Sequence, residues 1–333
     1  MRPIKELKPK EIKKMADAIC LGELLIDFVP TVTGVELQSV PAFKKLPGGA
    51  PANVAVGLNR FGISSAFMGK VGNDAFGQFL AQTLEQAGVN TDCLLFSDAA
   101  HTSLAFVSLK ADGEREFMFY RHPGADMLLA PEEIDADAIK AAKLLHYGSI
   151  SLIDEPVRSA TLQAVTIARN SDCLISYDPN LRLSLWPSEE DARTGLLLGL
   201  SQANIVKISE DEVEFLTGLN DLDKAKDELW HDDMQLLVIT SGSKGSHFYT
   251  ADYQGAAESF PIEAVDATGA GDGFVAGLLQ GILKQPETLN DRDQLNELCR
   301  FANAVGALTT TIRGAIPALP DFEKVQHFID AQV

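Results

Sequence analysis

A rhythm limits what this chain can fold into. Short apolar runs at residues 18–24, 65–71, 144–149, 173–177, 204–208 and 236–240 alternate with amphipathic stretches at 52–61, 76–87, 131–142, 157–168 and 189–200. The runs are too short for helices and rich in β-branched residues, so they read as strands buried on both faces. Strand–helix alternation of this kind predicts an α/β fold, a mainly parallel twisted central sheet with helices on both faces. Helical patterns near 273–283, 295–311 and 322–331 close the chain. With 333 residues, 46% of them hydrophobic, the core of one large domain is affordable, and residues 16–333 are assigned to it.

Two stretches break the rhythm. Residues 28–46 hold scattered apolar side chains, two prolines and no helical period. Residues 101–121 read as a hairpin, strands 104–110 and 116–121 about an Asp112-Gly113 turn, because Asp-Gly supplies the positive φ angles of a tight turn. Together they predict a small β-sheet lid over the carboxyl edge of the main sheet. Residues 1–15 carry six basic and two acidic residues with little apolar content. They lack the apolar centre of a secretory signal and read as a frayed tail.

The net charge of −19 argues against nucleic acid or an anionic membrane as main partner. No apolar run reaches membrane-spanning length. The four cysteines are far apart, with no CxxC, which fits a reducing, cytoplasmic setting. An anionic ligand must then be held by local positive features such as helix N-termini and backbone N–H groups.

One string offers such a cradle: Asp266-Ala-Thr-Gly-Ala-Gly-Asp272, followed by a helical pattern. Gly269, Ala270 and Gly271 can turn sharply and expose successive N–H groups at a helix mouth. Asp272 lies in the first turn, either as a helix cap or as a carboxylate beside a bound anion. Rival phosphate motifs fail. No GxxxxGK[ST] occurs, and a GxGxxG starting at Gly269 meets Phe274 at its last position. In Pro47-Gly-Gly-Ala-Pro-Ala-Asn53, Gly48 and Gly49 permit close approach of backbone to a ligand, and Pro51 suits a helix start. Asn53 then offers a donor and an acceptor to hydroxyls. In Leu21-Gly-Glu-Leu-Leu-Ile-Asp27, the Asp is expected at the carboxyl end of the first main-sheet strand, where open sheets bind ligands.

These strings together resemble the ribokinase-like (PfkB) family of carbohydrate kinases over nearly the whole chain after the tail. The resemblance implies ATP-dependent phosphorylation of a sugar hydroxyl. Asp272 would be the general base, and the N–H groups of Gly269, Ala270, Gly271 and Asp272 the anion hole. The sugar would lie among Asp27, Gly48, Gly49, Asn53 and the lid, with Phe119 packed over it.

On the nucleotide side, the resemblance points to Thr240, Gly242 and Gly245 as a phosphate loop and to Asn303 beside the adenine. Lys207 is either a phosphate contact or a solvated strand-end lysine. Glu212 would organise Mg²⁺ through water. Ser209 departs from the family's Asn, which leaves a contact at 209 in doubt. A K⁺ site would involve Asp266, Thr268 and Gly314. The strings Gly22–Pro30, Phe119–Met127 and Tyr177–Arg182 are similar to those of fructokinases, which implies fructose 6-phosphate as product, with Arg121 and Arg182 reaching sugar or phosphate oxygens. Ketodeoxygluconate, ribose and a catalytically silent, partner-binding relative are the alternatives. Lid sheets in this family often pair between subunits, so a homodimer through the lid is permitted without being required.

Overall fold

The computed structural model describes residues 15–109 and 115–332. The basic tail and the Asp112-Gly113 turn lie outside the described residues.

Nine strands form the main sheet: β1 (Ala18–Leu21), β4 (Ser65–Gly72), β5 (Asn90–Ser97), β8 (Leu144–Gly148), β9 (Leu174–Asp178), β10 (Ile205–Ser209), β11 (Leu236–Thr240), β12 (Ser246–Tyr249) and β13 (Gln254–Ala257). Their order is β13-β12-β11-β10-β9-β8-β1-β4-β5. All pairings from β5 to β11 are parallel, and the β12–β13 hairpin adds an antiparallel edge. The six strands expected from the apolar runs are the parallel core. β5, β12 and β13 were not expected: β5 and β13 are sheet edges, which lack the continuous apolar signature of strands covered on both faces, and β12 is only four residues long and opens on Ser246 and His247.

Alternate residues of each strand feed two cores. Ile19, Leu145, Ile175, Val206 and Leu237 enter one face, which the helices Val157–Arg169 and Glu189–Leu200 cover. Ala18, Leu144, Ile205 and Leu236 enter the other, under the helices Ala50–Arg60, Ala270–Lys284 and Arg292–Thr309. The helix expected over 131–142 is broken instead into a single turn, Pro131–Glu133, and a short helix, Ala136–Ala141. The Asp135 carboxylate restarts it by accepting the Ala138 N–H at 3.0 Å.

A second sheet of four strands is ordered β3-β2-β6-β7: β2 (Leu25–Pro30), β3 (Phe43–Gly48), β6 (Leu104–Leu109) and β7 (Arg115–Tyr120). Both irregular stretches of the sequence contribute to it. It also corrects the reading of the first strand. β1 ends at Leu21, and the chain turns at Gly22 (φ 150°) and leaves the main sheet. Asp27 therefore sits in the middle of a small-sheet strand, opposite Leu46, and not at the end of a main-sheet strand. The apolar run continues across the break because β2 is itself largely buried.

Candidate active site

A cavity of about 170 Å³ lies between the small sheet and the main body. Its lining includes Glu23, Asp27, Gly49, Asn53, Phe117, Phe119, Asn180, Arg182, Thr268, Gly269, Gly271 and Asp272. Residues far apart in sequence thus line one cavity, and a cavity of this size accommodates a six-membered ring.

One wall is a helix mouth. The helix Ala270–Lys284 starts from Gly269 at φ 78°, where a Cβ would lie 2.5 Å from the Ala315 Cβ. Only glycine adopts that backbone without strain. No side chain caps this helix. The Ala270 N–H donates back to the Ala267 carbonyl at 3.2 Å, so it is withdrawn from the anion hole drawn from the sequence. Among the described residues the N–H groups of Gly269, Gly271 and Asp272 have no protein acceptor, so the mouth stays open to an anion. The loop before it is locked: the Asp266 carboxylate accepts from the Thr268 N–H (3.0 Å), the Thr268 hydroxyl (2.7 Å) and the Gly314 N–H (2.9 Å).

Asp272 is 6% exposed and does not cap its own helix. Its Oδ2 accepts a 2.7 Å hydrogen bond from the Asn53 amide. Asn53, in the first turn of the helix Ala50–Arg60, is also buried, and its Oδ1 has no hydrogen-bond partner. A buried acceptor left unpaired is costly unless a ligand serves it. Burial raises the Asp272 carboxyl above the ordinary carboxylate range, opposed by the Asn53 amide and by the charges of Lys207 and Arg182.

The cavity lining carries two more carboxylates. Burial pushes Asp27 up to about 7, against the pull of Arg182. Gly48 does not line the cavity, and its contribution is space: a Cβ there would lie 2.1 Å from Asp27 Oδ2. Glu23, which sequence reasoning missed, is 4% exposed and accepts the Ala50 N–H at 2.9 Å. Burial also pushes it up to about 7. The one signal in the sequence, a single acidic residue between two apolar runs, reads equally as a turn residue. Phe119 lines the cavity as expected, with Phe117 stacked on it at 5.9 Å. Arg182 lies 5.3 Å from the Phe117 ring.

Arg121 is a correction. Its Nε donates to Asp126 Oδ2 at 2.6 Å, both side chains are buried, and it does not line the cavity. Its Nε is held in that buried ion pair, one layer behind the cavity lining.

A groove adjoins the cavity through Asn180 and Arg182 and continues past Lys207, Ser209, Asp211 and Glu212. Lys207 is no solvated strand-end lysine: it is 8% exposed and donates to both oxygens of Asp178, at 3.3 and 3.2 Å. Glu212 is already engaged. Oε1 accepts the Leu181 N–H (2.7 Å), and Oε2 accepts the Ser209 N–H (2.8 Å) and hydroxyl (2.9 Å). Ser209 caps the helix Glu210–Thr217 in return, which accounts for a Ser at that position. Thr240 pairs with Ser209 across β10 and β11 and starts a tight turn with Gly242 at φ 55° and Gly245 at φ 104°. The Asn303 amide donates to Ser246 Oγ, the Ala257 carbonyl and the Glu258 carbonyl, tying that turn and hairpin to the helix Arg292–Thr309. These four residues lie apart from the Asp272 cavity. Among the described residues no group of three or more His, Cys, Asp or Glu is placed to hold a metal. No helix among them is long and apolar enough to cross a membrane.

The profile of the pfkB family carbohydrate kinases matches residues 15–321. The chain belongs to that family. It is 53% identical over 313 residues to Fructokinase-1 of Zea mays, covering 94% of this chain and 97% of the maize protein. Among solved structures, the ATP-bound fructokinase of Xylella fastidiosa superposes with a TM-score of 0.87 at 36% identity, over 95% of this chain and 99% of that one. A fructokinase double mutant of Vibrio cholerae O395, bound to fructose, ADP and potassium ion, superposes with a TM-score of 0.84 at 34% identity, over 94% and 98%. The main sheet, its flanking helices and the small sheet are thus the ribokinase-like architecture that this family shares.

Proposed function

We propose that this pfkB-family kinase is a fructokinase that transfers the γ-phosphoryl group of ATP to the 6-hydroxyl of D-fructose. The observation that carries the reading is the 2.7 Å bond between Asn53 and Asp272 at an open helix mouth inside one cavity. The likeness in sequence to the maize fructokinase and in fold to those of Xylella and Vibrio supports fructose among sugars.

The residues divide the work. The unpaired Asn53 Oδ1 and the Asp27 carboxylate hold sugar hydroxyls, and Phe117 and Phe119 cover the ring. Asp272 takes the proton from the accepting hydroxyl as that oxygen attacks the γ-phosphorus, and the bond to the β–γ bridging oxygen breaks with its electron pair leaving on ADP. A positioned base contributes roughly 10²–10⁴-fold. The N–H groups of Gly269, Gly271 and Asp272, with Lys207 and Arg182 nearby, offset the charge building on the transferred group. The Thr240–Gly245 turn and Asn303 serve the nucleotide. Magnesium would arrive on the nucleotide phosphates, as this ion does when few carboxylates are offered, with Glu212 touching it only through its remaining lone pair and a water. A potassium ion would bind beside the Asp266 carboxylate, and activity in K⁺ against Na⁺ buffers tests it.

Four buried free cysteines favour the cytoplasm. Exposed Met118 and Tyr120 on β7 favour a dimer through the small sheet, and sedimentation decides it.

A coupled ADP-release assay across fructose, ketodeoxygluconate, ribose, adenosine and glucose tests the function, with Asp272→Asn as blank. Fructose should give the highest kcat/KM. Three carboxylates on the cavity walls disfavour ketodeoxygluconate, and a best rate on that acid would overturn the fructose assignment.

A further inference from the structure

The Lys207 ammonium stands where elementary electrostatics forbids a lone cation. Nζ is 3.0 Å from the position a Cβ would take on Gly271, in the first turn of the helix Ala270–Lys284. A helix N-terminus carries about half a positive charge and repels an ammonium. Burial of the ion raises the cost further. The arrangement persists because Asp178, 3% exposed at the end of β9, lies beside Lys207 on the neighbouring strand. Both Asp178 oxygens accept from Nζ, at 3.3 and 3.2 Å, which is long for a charge-assisted pair. Among the described residues Asp178 is the only hydrogen-bond partner of Nζ.

We propose that Asp178 is a positioning residue that stands in for the phosphoryl anion, holding the Lys207 ammonium at the open helix mouth until the γ-phosphate of ATP arrives to share it. The proposal rests on the kinase reading above. Without this partner the ammonium would keep only the longer-range attraction of Glu212 and Asp272, and its place at the mouth would loosen. A lysine paired more tightly would be unavailable to the phosphate. The long, two-oxygen contact lies between those limits.

The test uses the full chain and MgATP and MgADP as probes. Their affinities are measured by calorimetry without sugar, alongside kcat and KM with fructose. The variants are Lys207→Met, Asp178→Asn and the double variant, each checked for its melting temperature. Wild type should bind MgATP more tightly than MgADP. Lys207→Met and Asp178→Asn should each cut that ratio about tenfold and lower kcat by roughly 10²-fold, with fructose KM within about threefold. The double variant should lose no more than Lys207→Met alone. Asp178→Glu, which keeps the charge, should restore most of the ratio, and it carries the test if the Asn variant does not fold. An Asp178→Asn ratio equal to wild type, or losses that multiply in the double variant, would overturn the proposal. A wild type that binds ATP but phosphorylates no sugar would instead sink the kinase reading, and the affinity ratio would still decide the role of Asp178.

Discussion

Two helices of this protein begin on a positive-φ glycine and aim their first turn into one cavity, yet their mouths are finished differently. At the helix Ala50–Arg60, headed by Gly49 (φ 113°), the Glu23 carboxylate accepts the Ala50 N–H. At the helix Ala270–Lys284, headed by Gly269 (φ 78°), no protein side chain closes the mouth, and a lysine waits beside it. Elsewhere Asp74, Asp135, Ser188, Ser209, Asp221, Asp291 and Asp321 cap their helices with side-chain oxygens. The closed mouth is architecture that presents Asn53. The open one is reserved for an anion that the chain does not itself supply.

Substitutions can break that contrast. Gly269→Ala forces a side chain into the left-handed region and against Ala315, so the mouth must rebuild. A loss of kcat of roughly 10²–10³-fold is expected, the cost of a lost anion-hole donor. Arg121→Met should act oppositely. It strands Asp126 and should cost about 3–5 kcal/mol of stability in denaturant unfolding, while the folded fraction keeps its fructose KM, because Arg121 is outside the cavity.

Gly271→Ala sharpens the comparison at the open mouth. The new Cβ meets only the side-chain end of Lys207 and no backbone, so stability should hold while kcat falls about tenfold. A pH-dependent effect belongs to the closed mouth. Glu23 rises from an ordinary 4.5 to about 7 in the fold. Its stabilising contribution is therefore complete below about pH 4.5 and is lost as pH rises through about 7, on the order of 3 kcal/mol in all. Asp27, also raised to about 7, has the same sign. Melting temperature should fall between pH 5 and 8, and Glu23→Gln, which still accepts the Ala50 N–H, should flatten part of that fall. An unchanged slope in the variant would remove Glu23 from the account.

The sequence made the architecture legible wherever burial on both faces left a continuous apolar run, as in β1, β4 and β8 to β11. It failed at β5 and β13, the two sheet edges, where the pattern fades, and at β12, a strand of four residues that opens on Ser246 and His247. The cavity's polar members Asp272, Gly269 and Asn53 were legible because glycine strings at helix starts have few other uses. Arg121 misled because a lone arginine in sequence does not show its partner, and Asp126 reaches it only through a turn after β7. Glu23 and Asp178 were hidden inside strand strings, where a single acid reads as a turn residue until the neighbouring elements are placed. Glu212 and Ser209 show another limit, since a capping box and a magnesium motif require the same spacing.

The central claim is that the carboxylate at the open mouth moves a proton and does not merely hold sugar. Fructose affinity by calorimetry and kcat by ADP release, both on folded Asp272→Asn, test it together. The account predicts affinity within about threefold and turnover down at least ~100-fold. Turnover within tenfold of the unmodified protein, or an equal loss in both quantities, would contradict it.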